Sequence, residues 1–121
     1  MQITTHTISD TKIAELISDQ VLIQHSQDGL DLLGNLYYQG FDKIILHEKN
    51  LTPAFFDLRN GMAGEILQKF SNYRVRLAII GDFSGHASKS VQDFIRESNR
   101  HGHINFVPTQ AEAIAVLVRS H

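Results

Sequence analysis

The sequence contains no cysteine and no tryptophan, and only two of its 121 residues are proline. Without thiols the chain can form no disulfide, no thiolate nucleophile and no cysteine-ligated zinc or iron–sulfur site. A strong charge of one sign is also missing: 11 basic residues against 13 acidic ones give a formal net charge of −2. That balance supplies no field for nucleic acid or an anionic membrane surface, and neither is expected as a partner. No apolar run approaches the roughly 20 residues needed to span a bilayer. The start, Met1-Gln2-Ile3-Thr4-Thr5-His6, lacks the basic region and apolar run of a secretion signal. These absences point to a cytoplasmic chain in a reducing compartment. Linkers, internal repeats and low-complexity tracts are lacking too, so residues 1–121 read as a single domain.

What is present is ordinary globular material, 42% hydrophobic and 20% charged, enough to bury a core without staples. Gln2 to Ile8 alternates polar and β-branched residues, as an edge strand does. Ser9-Asp10-Thr11-Lys12 provides turn residues, and Ile13 to Ile17 returns as the second strand of a hairpin. Ser26 or Asp28 can cap a helix running to about Tyr38, with Leu30, Leu33, Leu36 and Tyr37 at helical spacing. Gly40 suits the left-handed position after it. Ile44-Ile45-Leu46 is a short apolar run of the kind found in buried parallel strands. Thr52-Pro53 starts a short helical turn in which Phe55 and Phe56 serve as anchors. A helix from about Asn60 to Asn72 follows, with Met62, Ile66, Leu67 and Phe70 as its apolar stripe. Val75 to Ile80 is the clearest strand. Ser88 opens a third helix with Val91, Phe94 and Ile95 inward, and Ile104 to Val107 is a last strand. Thr109-Gln110-Ala111-Glu112 forms a capping box ahead of a final helix. The order β-β-α-β-α-β-α-β-α predicts an α/β domain whose mixed, mostly parallel sheet is covered by helices and carries an antiparallel hairpin strand at one edge.

Ligands of open α/β sheets bind beyond the carboxyl ends of the strands. That rule selects the loops at His47-Glu48-Lys49-Asn50, at 81–86 and at Pro108-Thr109. The second loop would gather Asp82, Ser84 and His86 near Ser88 at the start of the third helix, where anions are favoured; the same residues are also ordinary turn and cap formers. His47 and Glu48 are a candidate acid–base pair, although neighbours on a strand point to opposite faces. His101-Gly102-His103 has the look of a two-ligand metal fragment, but without a third ligand it reads as a helix end. Phosphate-loop, dinucleotide, nucleophile-elbow and zinc-protease motifs are not found. No catalytic residue, cofactor or metal is therefore expected.

The segments Asp42 to Leu58, Gly64 to Phe70, Leu77 to Ser84, Ser88 to Ile95 and Glu97-Ser98-Asn99 together resemble a bacterial family of small proteins catalogued as domain-of-unknown-function family 4180. That resemblance implies no activity. The element order is also similar to STAS domains, the fold of sulfate-transporter and anti-sigma-factor-antagonist modules. By that resemblance, Phe55 to Met62 corresponds to the loop before the second helix, which in anti-sigma antagonists carries a phosphorylated Ser or Thr and meets a kinase. Neither residue occurs in it here. The resemblance thus implies a protein-binding surface, with Asp57, Arg59 and Asn60 as its contact residues, but no phosphorylation switch. Two readings follow: a non-enzymatic regulatory or protein-interaction module with an unidentified protein partner, or a small-molecule or anion-binding domain or minor enzyme using the loop after 75–80. A homo-oligomer through exposed tyrosines such as Tyr37 or Tyr38 is a third.

Overall fold

The computed structural model describes residues 1–85 and 88–119. The expected order of elements is the observed one. Strands β1 (Gln2–Ile8), β2 (Thr11–Ile17), β3 (Lys43–His47), β4 (Arg76–Ile80) and β5 (Ile104–Val107) alternate, after the hairpin, with helices α1 (Ser26–Tyr38), α2 (Met62–Asn72), α3 (Lys89–His101) and α4 (Gln110–Val118). Three short 3-10 turns at 48–50, 53–56 and 58–60 carry the chain from β3 to α2. β2 begins two residues earlier than the sequence suggested, because Thr11 closes the hairpin opposite Ile8. α1 is preceded by His25, and Asp28 reaches back to accept hydrogen bonds from the amides of Gln24 and His25 at 2.9 and 3.1 Å, which satisfies donors at the end of the connection. Among the described residues no helix is long and apolar enough to cross a membrane.

The strands lie in the sheet in chain order, β1-β2-β3-β4-β5; only the β1–β2 pair is antiparallel. This order dictates the layers. Right-handed crossovers between neighbouring parallel strands are the rule, and in this strand order they put α1, α2 and α3 on one face, where they share a core. There Ala14, Leu16, Ile44, Leu46, Leu77, Ile79, Ile104 and Phe106 of the sheet meet Leu33, Leu36, Ile66, Phe70, Val91 and Ile95 of the helices in the main core. Residues one position along each strand point the other way. Ile13, Ile45, Ala78 and Val107 form a smaller core, covered by Ala113 and Leu117 of α4. One nine-residue helix cannot cover a five-stranded face, and this second face stays uncovered over β1 and part of β2.

Two polar side chains, one buried and one partly buried, tie the loops to this frame. Asn50 is fully buried; its oxygen accepts from the His47 amide at 3.1 Å, and its amide donates to the carbonyls of Ser18 and Gln20 at 2.9 Å each. It thereby fixes the link between β2 and α1 against the carboxyl end of β3. The Arg76 guanidinium donates to the carbonyls of Gly102, Val116, Leu117 and Arg119 at 2.8–3.2 Å. One cation thus closes the carboxyl ends of α3 and α4, where the helix dipoles are negative. Burial pulls the Arg76 pKa down, helped by the nearby charge of Arg119.

Candidate functional site

The uncovered part of the second face holds an ionisable cluster. Within β2, Glu15 is inserted between apolar neighbours, and its side chain is 3% exposed. It faces the same way as Ile13, onto the α4 side. Its partner on β3 is Ile45, so His47, two residues further along, shares that face. Its partner on β1 is Thr4, so His6 shares it as well. The register therefore brings both imidazoles to the carboxylate from opposite sides. His6 Nε2 donates to Oε1 at 2.7 Å and His47 Nε2 donates to Oε2 at 2.8 Å. Gln110, the first residue of α4, donates its amide to Oε1 at 2.6 Å. Four separate elements meet on one buried carboxylate.

Burial pushes the Glu15 carboxyl up; hydrogen bonds from His6, His47 and Gln110, with the charge of His47, outweigh it and hold the group below the usual glutamate range. An ionised carboxylate only accepts, so each imidazole must carry its proton on Nε2. A carboxylate so placed orients a histidine and stabilises its imidazolium, as in many acid–base sites. Here it sits between the two rings, with one oxygen on each. Among the described residues no group of three or more such side chains is placed to hold a metal ion.

The sequence reading named His47 but missed Glu15, His6 and Gln110. The one local signal was an acidic residue inside the apolar run Ile13-Ala14-Glu15-Leu16-Ile17, since a charge is rarely buried there without partners. Nothing local identified those partners. Glu48 does not join His47. It leans over the end of β4, where a Cβ on Gly81 would lie 2.6 Å from both Glu48 Cβ and Glu48 Oε1, so only glycine fits beneath it. In the loop that follows, Ser84 donates its hydroxyl to Asp82 at 2.6 Å and its amide at 3.2 Å, a turn-building arrangement. Ser88 caps α3 by accepting from the Val91 amide at 3.4 Å. His86 lies outside the described residues. Asp57, Arg59 and Asn60 lie in the turn before α2 and largely build it. Asp57 accepts from the backbone amide of Arg59 at 3.4 Å and its guanidinium at 3.1 Å, and Asn60 bonds the Ala54 carbonyl and the Met62 amide at 2.7 and 2.8 Å. At the end of α3, Gly102 takes φ 79° as a left-handed cap, and His101 pairs with Glu97 at 3.2 Å.

A second feature lies on the helical side. Between α1 and α2 runs a groove of about 570 Å³ lined by Leu30, Leu33, Gly34, Tyr37, Tyr38, Lys69 and Tyr73. Tyr37 and Tyr38, the tyrosines named as candidate contact residues, are half exposed and 92% exposed. The Tyr37 and Tyr73 rings meet across the groove at 5.8 Å. Two glycines of α1 differ here. A Cβ on Gly29 would sit 3.0 Å from Ile66, so that glycine permits the close α1–α2 crossing, whereas a Cβ on Gly34 would meet nothing within 4 Å.

A model of the family described as Domain of unknown function (DUF4180) matches residues 8–117. Comparison with curated proteins finds no match. Among solved structures, the chain is similar to a protein from Thermotoga maritima described provisionally as an anti-sigma factor antagonist. The two share 16% sequence identity, the match covers 97% of this chain and 95% of that one, and the TM-score is 0.48.

Proposed function

The chain belongs to the DUF4180 family of domains of unknown function, and on that premise, which carries no activity with it, we propose that it is a non-enzymatic protein-interaction module whose contact surface is the groove between α1 and α2. The observation that carries this reading is Gly34. A glycine inside a helix destabilises it by about 1 kcal/mol relative to alanine, and at this position no neighbour would obstruct a larger residue. The open space above it is then best understood as room for another molecule. The surroundings suit a protein: exposed tyrosines combine apolar area with a polar tip, as interface residues commonly do. Lys69 at the rim favours a partner segment that places an apolar side chain over Gly34 and an acidic one beside it. The turn carrying Asp57, Arg59 and Asn60 stands at the other end of α2, where it can extend the same contact.

The test is the substitution Gly34→Leu, which fills the groove while strengthening the helix. Affinity capture with the wild-type domain from its host should recover a stoichiometric partner, and the variant, with an equal or higher melting temperature, should lose it. Recovery of the same partner by both proteins, or of none by either, would refute the proposal.

A further inference from the structure

The two edges of the sheet are treated differently. At the β5 edge, side chains of α3 occupy the outward backbone groups. Asn99 donates to the Phe106 carbonyl at 3.1 Å and accepts from its amide at 2.7 Å, and Ser98 donates to the Ile104 carbonyl at 2.6 Å. A further strand cannot add there. The β1 edge carries none of the usual protections. Its seven residues, Gln-Ile-Thr-Thr-His-Thr-Ile, include no Lys, Arg, Asp, Glu or Pro. They pair with β2 without a bulge from Gln2–Ile17 to Ile8–Thr11, and most are exposed on both faces. An unguarded edge of this length is a template for another strand.

We infer that this edge receives the same strand of a second copy of the chain, joining two sheets across a two-fold axis at Thr5. The backbone favours that occupant. Ile8 and Thr11 close a two-residue hairpin with Ser9 at φ 56°, so they form a hydrogen-bonded pair, and alternation turns the amides and carbonyls of Ile3, Thr5 and Thr7 away from β2. These outward groups are symmetric about Thr5. Antiparallel pairing with a second β1 then matches Ile3 with Thr7, Thr5 with Thr5, and Thr7 with Ile3, and every outward donor meets an acceptor. On the other face the same register sets Thr4 opposite the second copy's His6 and Gln2 opposite its Ile8. Thr4 is itself the neighbour of Glu15, so the two Glu15 clusters become parts of one continuous sheet face. Ile8 and Ile17, exposed at 42% and 41%, lie on that same face and gain neighbours across the axis.

The absence of cysteine makes the register directly testable. In the proposed pair two residues at position 5 stand about 5.5 Å apart between Cα atoms, within disulfide reach. Two residues at position 7 stand roughly 14 Å apart, out of reach. Thr5→Cys should therefore oxidise, or react with a short bis-thiol reagent, to a covalent dimer, and Thr7→Cys, on the same exposed face, should not. Sedimentation should show a dimer for the wild type at tens of micromolar. Thr5→Pro should be monomeric with unchanged circular dichroism, because the amide it removes is directed away from β2. A monomeric wild type, a folded Thr5→Pro that stays dimeric, or cross-linking at position 7 equal to that at position 5 would overturn the inference. If Thr5→Pro does not fold, the cysteine pair decides alone. The groove plays no part in this contact: Gly34→Leu should leave the dimer intact, so the two proposals fail separately.

Discussion

Replacing Glu15 with glutamine keeps the volume of the side chain and removes its charge, which isolates what the carboxylate contributes. In the native protein three N–H donors reach its oxygens at 2.6–2.8 Å. Hydrogen bonds to an ionised group contribute about 1.5–3 kcal/mol, against about 1 kcal/mol for neutral ones. A glutamine oxygen can still accept from His6 and Gln110, but its amide would present a donor to the donor Nε2 of His47, which must change tautomer or lose its bond. Two weakened bonds and one lost or rearranged bond, partly offset by no longer burying a charge, give a net loss of about 2 kcal/mol at pH 7. For a domain of this size that is roughly 8 °C in melting temperature. The pH dependence gives the reasoning a sharper edge. The folded pKa of Glu15 is lowered; although burial raises it, the hydrogen bonds from His6, His47 and Gln110 and the charge of His47 more than reverse that rise. Its contribution is therefore fully present above the unfolded value of about 4.3 and is lost as pH falls through the lower folded value. Urea unfolding of wild type and Glu15→Gln at pH 7, 5, 4 and 3 should show a stability gap at neutral pH that closes below about pH 4. A variant as stable as wild type at pH 7, or a gap of the same size at pH 3 and pH 7, would refute the account of the cluster.

Arg76→Met removes the cation that holds four carbonyl groups at the ends of α3 and α4. It should cost about 3–4 kcal/mol, with hydrogen exchange rising first in α4, and Arg76→Lys should restore only part of the loss because a single ammonium cannot reach the same fork of acceptors. Gly81→Ala forces a Cβ to within 2.6 Å of Glu48 Cβ, an atom next to the backbone that cannot swing aside; a loss of about 1–3 kcal/mol in thermal unfolding is expected. Asn50→Ala leaves the His47 amide and the carbonyls of Ser18 and Gln20 without their partner. A loss of about 2–3 kcal/mol in urea unfolding and a shifted His47 backbone amide resonance in nuclear magnetic resonance spectra should follow.

The elements were legible because their causes are local. Ile44-Ile45-Leu46 and Val75 to Ile80 read as strands from composition alone, the second starting one residue later in the structure, and Thr109 and Ser88 announced helices through their capping side chains. Spacing grouped Tyr37 with the apolar residues of α1 but could not say how deeply it is buried; it is half exposed. The Asp82–Ser84 turn and the 57–60 turn attracted attention through residue types that serve turns and sites alike, and in the structure these side chains mostly bond to their own loops.

The sequence by itself determined the order and type of elements, the absence of thiol chemistry and the lack of charge guards on the first strand, since each depends on residues close together in the chain. Only the tertiary structure decided that the strands lie in chain order, that α1, α2 and α3 stack on one face, and that, among the described residues, α4 packs on the other. That layering leaves the space in which Glu15 meets His47, 32 residues away, and Gln110, 95 residues away. The physical reason is register: a strand pairing fixes which side chains share a face, and shifting it by one residue would turn Glu15 away from both histidines.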